Sequence, residues 1–293
     1  MASKWNNFFL QGLSGLGQVG YNTIKTLIDT YQAEVDRDYA EYFPNLTLID
    51  NGTIENQCVR LYHKETPDKV FRFLNGPQPR SDELISMLLQ KFIRDISELH
   101  KNQKIDLYLS FGAYVTKTLS HVELQEQSFS TKEELADHIL KSEIEKKRNL
   151  YIATSGNLAY DDFIKELKGE DAIVKESGGY IIGLNGVLPA MVGERLKIPT
   201  ATIMIETTGI GPDIRSSNDF PVLAQFLGLL ATKRALTFLE KTFDLEDHLG
   251  SKVDSIIEEL KSSARQEIIN FFDRDNGPDM GREFDYRNDK MYT

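Results

Sequence analysis

Short strand-like runs alternate with glycine turns and amphipathic stretches along most of this chain. The runs are apolar or β-branched, as is typical of strands, and lie at residues 8–10, 46–49, 58–62, 70–74, 105–111, 150–153, 180–184 and 201–206. The helical stretches have apolar residues at helical spacing and lie at residues 81–99, 131–144, 187–196 and 220–238. This alternation predicts a three-layer α/β/α fold around a mostly parallel sheet.

Residues 58–62 and 70–74 are separated by Thr66-Pro67-Asp68, a combination that favours a turn. We therefore expect a hairpin here, which makes the sheet mixed. The single cysteine, Cys58, is expected to be a small buried apolar side chain rather than a nucleophile. The α/β core is predicted to occupy residues 1–249.

The C-terminal end differs from this core. Residues 250–272 predict an amphipathic helix whose apolar stripe includes Ile256, Leu260 and Ile268. Two interpretations stay open: the helix packs on its own domain, or it pairs with copies of itself in an oligomer. Residues 273–293 are mostly polar, so we expect a flexible tail that buries too little apolar surface to offset its ordering entropy.

The composition disfavours several classes of partner. The formal net charge of −11 gives no general affinity for phosphate backbones or anionic lipid. No run approaches the ~18 apolar residues of a membrane-spanning helix, and the first residues lack the apolar stretch of a secretory signal. We therefore expect a cytoplasmic protein without nucleic-acid or membrane partners.

A glycine-rich turn follows the first predicted strand. Gly15, Gly17 and Gly20 match the pattern G-x-G-x-x-G, whose backbone amides bind a pyrophosphate in dinucleotide-binding folds. The acidic residues at the expected distance, Asp36 and Asp38, lie in a polar and apparently helical stretch. The pattern therefore favours a tight strand-to-helix turn that needs glycine for close packing.

Other turns rich in small residues also follow predicted strands. In a doubly wound sheet such turns meet at one edge, where ligands bind. The candidate ligand edge comprises Gly15, Gly17, Gly20, Asn185, Gly186 and Glu206. Asp213 and Arg215 are the other charged residues expected near it. Compact turns are also required there when nothing binds.

No catalytic or metal-ligating set is visible in the sequence. The five histidines lie in five different segments, and none has the spacing of a metal site. No G-x-S-x-G nucleophile motif occurs. We expect neither enzymatic activity nor a cofactor.

The last three residues, Met291, Tyr292 and Thr293, form a compact peptide key. The terminal carboxylate can pair with a lysine, and the tyrosine supplies a rigid ring with a hydroxyl that orients it. The methionine adds apolar area. Three residues bind weakly on their own, so several copies on one oligomer would be needed for useful avidity.

Three segments, residues 12–20, 183–190 and 198–207, resemble the PAC2 family, the archaeal and eukaryotic group of proteasome assembly chaperones and their relatives. The resemblance implies a fold similar to purine nucleoside phosphorylases, oligomers, and, for archaeal members, binding to the proteasome core particle. The ending Met291-Tyr292-Thr293 is similar to the hydrophobic–tyrosine–any-residue (HbYX) tail by which proteasome activators enter pockets between α-subunits.

The leading hypothesis is a homo-oligomeric assembly chaperone or activator that docks this tail into the α-ring of the 20S proteasome. The second hypothesis is a nucleoside- or nucleotide-binding enzyme that uses the glycine-lined edge of the sheet. The third is a scaffold whose C-terminal helix recruits a non-proteasomal partner.

Overall fold

The computed structural model describes residues 5–43, 47–50, 53–79, 81–119, 129–167, 174–176, 183–210 and 220–275. These residues form two compact units. Unit 1 falls within Met1–Tyr114, Arg148–Thr207 and Gly228–Asp254, and unit 2 falls within Val115–Lys147, Thr208–Leu227 and Ser255–Thr293. The second unit therefore draws on separated stretches of the chain, a grouping that local sequence patterns do not reveal. The division into core, C-terminal helix and tail predicted from the sequence stays a prediction.

The described strands are β1 (Asn7–Leu13), β2 (Glu34–Asp38), β3 (Thr47–Asp50), β4 (Thr53–Asn56), β5 (Arg60–Glu65), β6 (Val70–Gly76), β7 (Leu107–Leu119), β8 (Leu150–Ser155), β9 (Val174–Glu176) and β10 (Thr200–Ile210). The described α-helices are α1 (Val19–Tyr31), α2 (Asp82–Asn102), α3 (Lys132–Glu145), α4 (Tyr160–Glu166), α5 (Leu184–Met191), α6 (Pro221–Phe243) and α7 (Asp254–Asp275). A π-helical turn, Val192–Leu196, continues directly from α5.

The fold is α/β with a mixed sheet, as predicted. Eight of the described strands form one sheet in the order β2-β5-β6-β1-β7-β10-β8-β9. Strand β1 pairs in parallel with β6 and β7, whereas β2, β5 and β6 pair antiparallel, as do β10 and β8. Strands β8 and β9, at the other end of the sheet, pair in parallel. Parallel pairing is thus less general than the sequence suggested.

Strand β1 lies near the middle of the sheet and is buried along its whole length. Successive side chains of a strand point to opposite faces, so both faces must be covered. On one face Phe9 lies in a core cluster with Phe92 of α2 and Leu188 of α5, whereas on the other the ring of Phe8 lies 5.7 Å from that of Phe243 in α6. Helical side chains on both sides explain why this strand has the continuous apolar sequence of a buried parallel strand.

The predicted hairpin is confirmed. Strands β5 and β6 pair antiparallel, with Glu65 opposite Val70. The Thr66 hydroxyl donates to the Lys69 carbonyl at 3.0 Å and accepts from the Lys69 N–H at 3.0 Å, which closes the turn. Cys58 lies just before β5 and is buried, as expected for a small apolar side chain.

Several local predictions are corrected by the structure. Residues 34–38, which contain Asp36 and Asp38, form the edge strand β2 rather than a helix. Of the run at residues 46–49, residues 47–49 belong to a separate ribbon in which β3 pairs with β4, not to the main sheet, and residue 46 lies outside the described residues. Leu184 begins helix α5 rather than ending a strand, while residues 180–182 lie outside the described residues. Local patterns could not locate the edge strand because its side chains are mostly exposed and polar.

Helix α6 is long and apolar enough to span a membrane by length and composition. In this structure 67% of its most apolar window is buried inside the protein. Within unit 1, its final residue Phe243 packs against Trp5 with ring centroids 5.7 Å apart. Burial accounts for the composition of this helix, because a helix that is mostly buried is apolar over most of its surface.

Helix α7 continues to Asp275, beyond the end predicted from the sequence. Ala264 and Ile268 are fully buried, and the ring of Phe271 lies 4.5 Å from that of Phe220, also in unit 2. Ile256, by contrast, is 44% exposed. The helix therefore packs within its own unit along most of the predicted stripe. Pairing with further copies of the chain stays a prediction.

A buried carboxylate connects the edge strand β2 to α2. Asp95 is buried, and its two oxygens accept from Arg37 Nη1 at 2.8 Å, Lys91 Nζ at 3.1 Å and the Tyr39 hydroxyl at 3.1 Å. Burial and the adjacent carboxylate of Asp95 raise the pKa of Tyr39, so its hydroxyl remains a hydrogen-bond donor. These contacts satisfy the carboxylate and anchor a strand that packing alone holds weakly.

We expect Asp95→Asn to lower the free energy of unfolding by about 2 kcal/mol, because the charged acceptor of these hydrogen bonds is lost while Arg37 and Lys91 keep their charges. Urea denaturation measures the change. The control is Asp29→Asn, which removes an exposed i,i+4 pair with Lys25 and should cost less than about 0.5 kcal/mol. Equal effects of the two variants would contradict the anchoring role of Asp95.

The N-terminus of α6 is capped from another helix of unit 2. The carboxylate of Glu267 in α7 accepts from the N–H of Val222 at 3.2 Å and from the N–H of Leu223 at 2.8 Å. The first N–H groups of a helix have no partner within the helix, and its positive end favours a negative charge. Glu267 thus fills the anion site that a helix N-terminus offers.

We expect Glu267→Ala to destabilise the protein by about 1 kcal/mol and to speed hydrogen exchange at the amides of Val222 and Leu223. Hydrogen exchange followed by mass spectrometry measures the local effect. Glu258→Ala is the control, since Glu258 is an exposed residue of the same helix that pairs only at 3.8 Å with Lys261. If exchange at the start of α6 is unchanged in Glu267→Ala, the capping contact is absent in solution.

Candidate functional site

The first part of the candidate edge lies where β1 and β6 end. These strands are parallel, and their last residues, Leu13 and Gly76, are paired. The chain turns immediately afterwards, with the Ser14 N–H donating to the Gly76 carbonyl at 3.0 Å. The side chain of Gln78 donates to the Ser14 carbonyl at 2.5 Å and accepts from the N–H of Leu184 at 3.2 Å. The turns are therefore bonded to one another.

Asn185 is the central residue of this edge. It lies in the first turn of α5, and its side-chain amide makes two hydrogen bonds to the backbone of Leu13. Its Oδ1 accepts from the Leu13 N–H at 3.0 Å, and its Nδ2 donates to the Leu13 carbonyl at 3.0 Å. The amide thus provides hydrogen-bond partners for the backbone N–H and carbonyl at the end of β1, as a neighbouring strand would.

A buried polar network extends from Asn185 across the sheet. Gln11 Nε2 donates to Asn185 Oδ1 at 3.1 Å, and the hydroxyl of Tyr108 donates to Gln11 Oε1. The Ser110 hydroxyl donates to the Asn185 carbonyl at 2.8 Å. Complete burial raises the pKa of Tyr108, which keeps its hydroxyl protonated. Because these side chains bond to one another, the network is a structural joint rather than a set of groups awaiting a ligand.

The glycine-rich turn is filled by the protein itself. A Cβ at Gly12 would clash with the carbonyl of Gly20, and a Cβ at Gly20 would clash with the carbonyl of Phe111. Gly17 has a positive φ of 59°, and a Cβ there would lie 3.1 Å from Gly228 in α6. The glycines therefore allow close packing, as the simpler interpretation of the pattern predicted.

The sheet topology also does not place an acidic residue where a dinucleotide site needs one. In dinucleotide-binding folds an acidic residue follows the strand next to β1 and binds the ribose. Asp36 and Asp38 instead lie on the edge strand β2, and β5 and β6 separate β2 from β1. The acidic residues at the expected distance in sequence are thus in the wrong place in the sheet.

Glu206 lies on β10, two strands from β1 in the sheet order. It is buried, and its Oε2 accepts from the N–H of Asn149 at 3.1 Å and from Asn149 Nδ2 at 2.5 Å. These bonds hold the end of the antiparallel β10–β8 pair. Burial raises the pKa of the neighbouring Tyr151, and the negative charge of Glu206 raises it further.

The structure thus brings together only part of the predicted edge. Gly15 and Asn185 are close, because a Cβ at Gly15 would lie 3.8 Å from Asn185 Nδ2. Gly186 follows Asn185 in helix α5. Glu206 is instead hydrogen-bonded to Asn149. Within the described part of the chain, no cluster of three His, Cys, Asp or Glu side chains could hold a metal ion. Asp213, Arg215 and the terminal residues Met291, Tyr292 and Thr293 lie outside the described residues.

Sequence reasoning missed the roles of Gln11, Asn75 and Gln78. Asn75 Nδ2 donates to the carbonyl of Gly12 at 2.8 Å and to that of Tyr21 at 2.9 Å, which ties the glycine turn to β6. These roles could have been predicted from the sequence, because an Asn or Gln at the end of an otherwise apolar strand is buried only when its side chain is hydrogen-bonded.

Comparison with known structures places this fold among proteins of related architecture. The structure of Pyrococcus furiosus PbaB, described as an archaeal proteasome activator, matches with a TM-score of 0.62 and 17% identity over 91% of this chain and 95% of that one. Pyrococcus furiosus PbaA, described as an archaeal homolog of proteasome-assembly chaperone, matches with a TM-score of 0.52 and 16% identity over 94% of each chain. The Mycobacterium tuberculosis proteasome-assembly chaperone homologue Rv2125 matches with a TM-score of 0.50 and 15% identity over 94% of this chain and 97% of that one.

These identities are low enough that the structural matches show the fold alone. No curated protein sequence matches the chain significantly. The model of the PAC2 family, however, matches residues 9–261, which include both the glycine turn and the Asn185 network. The chain therefore belongs to the PAC2 family.

Proposed function

We propose that this protein is a proteasome-binding assembly chaperone or activator, and that it docks Met291-Tyr292-Thr293 into pockets of the 20S α-ring. The observation that carries the proposal is the occurrence of a hydrophobic–tyrosine–residue ending on a chain of the PAC2 family. Structural relatives named as a proteasome activator and as proteasome-assembly chaperone homologues support it.

The chemistry of the tripeptide suits a pocket with a cationic floor. The carboxylate of Thr293 makes a charge-assisted hydrogen bond to a lysine, which is stronger than a neutral one. Tyr292 adds an aromatic ring with a hydroxyl at its tip, and Met291 adds apolar area that is removed from water on docking. An internal segment with the same side chains lacks this free carboxylate and therefore cannot make the same contact.

The proposal includes a homo-oligomer. A single tripeptide buries little surface and binds weakly, whereas linked copies raise the effective concentration at neighbouring pockets. The described residues end at Asp275 in helix α7, and residues 276–290 lie between it and the tripeptide in the sequence. A cytoplasmic location, where proteasomes are found, completes the proposal.

We expect deletion of residues 291–293, or Tyr292→Ala, to weaken binding to purified 20S particles at least about tenfold, since each removes a contact worth about 1.4 kcal/mol or more. Surface-immobilised 20S particles and purified variants give the dissociation constants. Thr293→Ser keeps the carboxylate in place and serves as the matched control, with binding close to that of the unchanged chain.

The sharpest variant adds one glycine after Thr293. All side chains are then retained, but the carboxylate moves by about 3.5 Å, so binding should fall as far as in the deletion. Melting temperatures of all variants should agree, because the changes lie outside the described core. Undiminished binding by the deletion or the glycine-extended chain would remove the proposed docking mode.

The other two hypotheses make different predictions. A nucleoside-binding enzyme would show a rise in melting temperature with nucleosides, nucleotides or phosphate at millimolar concentration. The packing of Gly12, Gly17 and Gly20 against other backbone gives no support to that activity. A scaffold that recruits another partner through α7 would be insensitive to the tail deletion but sensitive to Ile256→Asp, at the exposed side of that helix.

A further inference from the structure

Helix α2 has a buried side and an exposed stripe. Its buried side lies in the core cluster that also contains Phe9 of β1. Along the exposed stripe the residues are alternately four and three positions apart, which is the spacing of a coiled-coil seam: Glu83, Met87, Gln90, Arg94 and Ser97. The first four are exposed, and Met87 is one of the few large apolar side chains in the described chain that are, at 49%.

The neighbouring helix adds apolar surface beside this stripe. Helix α5 and its π-helical turn pack against α2 within unit 1, and the exposed Val187 lies on α5. A groove runs between the two segments, and its half-buried apolar lining consists of Leu89, Ile93, Met191 and Leu196. An exposed seam with an apolar groove along one side is a surface that a further helix can cover.

The two charges of the stripe have opposite signs and no ionic partner. In the part of the chain that the structure describes, neither Glu83 nor Arg94 forms an ion pair. They are separated by about 16 Å along the helix axis, which is too far for them to pair with each other. The stripe therefore has an unpaired acid near its start and an unpaired base near its end.

A second copy of the same helix supplies both missing partners when it runs antiparallel. If two copies cross midway between Met87 and Gln90, Glu83 of each copy lies opposite Arg94 of the other, and Met87 lies opposite Gln90. The twofold axis repeats every contact, so two ion pairs form. A parallel arrangement in the same register would instead place like charges opposite each other, which is unfavourable. The order of charges along the stripe thus selects the antiparallel pair.

Helix α7, whose sequence also left self-association open, offers less to a second copy. Most of its apolar stripe is used inside unit 2, where Ala264 and Ile268 are fully buried. In the groove between α3 and α7, Arg265 Nε already pairs with Asp137 at 2.6 Å. The charges at that surface are therefore neutralised within one copy, unlike those of the α2 stripe.

We propose that α2 forms a twofold-symmetric interface between two copies of this chain, with the helices antiparallel and Glu83 of each copy paired with Arg94 of the other. Met87 is removed from water at the seam, and the groove between α2 and α5 adds apolar area to the contact. The inference rests on the homo-oligomer included in the proposed function, for which it names the contact surface.

Sedimentation equilibrium of the full-length chain, over a series of concentrations, measures the dissociation constant for self-association. We expect Arg94→Glu to raise this constant at least about tenfold, because one substitution replaces two attractions with two repulsions. Glu83→Arg should act in the same direction. Lys25→Glu, a reversal at an exposed cation of α1, is the control and should leave the constant unchanged. Circular dichroism of each variant identifies any loss of folding.

A charge swap distinguishes direct pairing from an indirect effect. Glu83→Arg combined with Arg94→Glu re-forms both ion pairs with their signs exchanged, so association should recover most of what either single change removes. A misfolded helix would not recover in this way. A chain that is monomeric at every concentration, or association that neither single reversal weakens, would overturn the proposal.

A photo-cross-link tests the same contact without altering a charge. A photo-activated phenylalanine analogue replaces the exposed Ser86, beside the seam, and isotope-labelled copies are mixed with unlabelled ones. We expect cross-links that join a labelled to an unlabelled copy within residues 83–97, and cross-links found only inside one copy or at another surface would contradict the interface.

The interface and the docking of the tail can fail separately. Deletion of residues 291–293 should leave the dissociation constant for self-association unchanged, because the α2 stripe is intact. A chain that self-associates through α2 but keeps its 20S binding after the deletion would refute tail docking alone. A monomeric chain whose 20S binding depends on the tripeptide would refute the α2 interface alone.

Discussion

The side-chain amide of Asn185 forms two hydrogen bonds with the backbone of Leu13, and much of the central sheet depends on this contact. Strand β1 is buried along its whole length, so the backbone groups at its end cannot bond to water. Asn185 supplies the missing partner from the first turn of α5, and Asn75 does the same for the carbonyl of Gly12. These amides join the strand ends to the turns and helices that follow them.

The same joint explains why the described glycine turn differs from that of a nucleotide-binding fold. In a nucleotide-binding fold the glycine turn leaves space for phosphate, and its amides point into that space. Here Gly12 and Gly20 approach each other, Gly20 approaches Phe111, and Gly17 approaches Gly228. The small residues are used to bring backbone against backbone. The described part of the ligand edge is thus an internal contact.

Charged side chains form long-range contacts within each of the two units. Two carboxylates bond to distant groups of their own unit: Asp95 bonds to Arg37 and Lys91, and Glu267 bonds to the N-terminus of α6. The exposed Arg94 of α2 and Arg195 of the π-helical turn differ, because neither has a carboxylate partner among the described residues.

Local sequence determined the elements whose side chains show a clear period. These elements are the helix at residues 82–102, the β5–β6 hairpin and the buried strand β1, and they follow from apolar spacing and the turn at Thr66. The PAC2 motifs and the terminal tripeptide could also be identified from residues alone. Only the tertiary structure placed Asp36 on an edge strand, separated the β3–β4 ribbon from the main sheet, and turned Asn185 and Glu267 into partners of distant backbone. These features depend on contacts between residues far apart in the chain. The spacing of apolar residues within one segment does not indicate which distant groups will bond to its polar side chains and backbone.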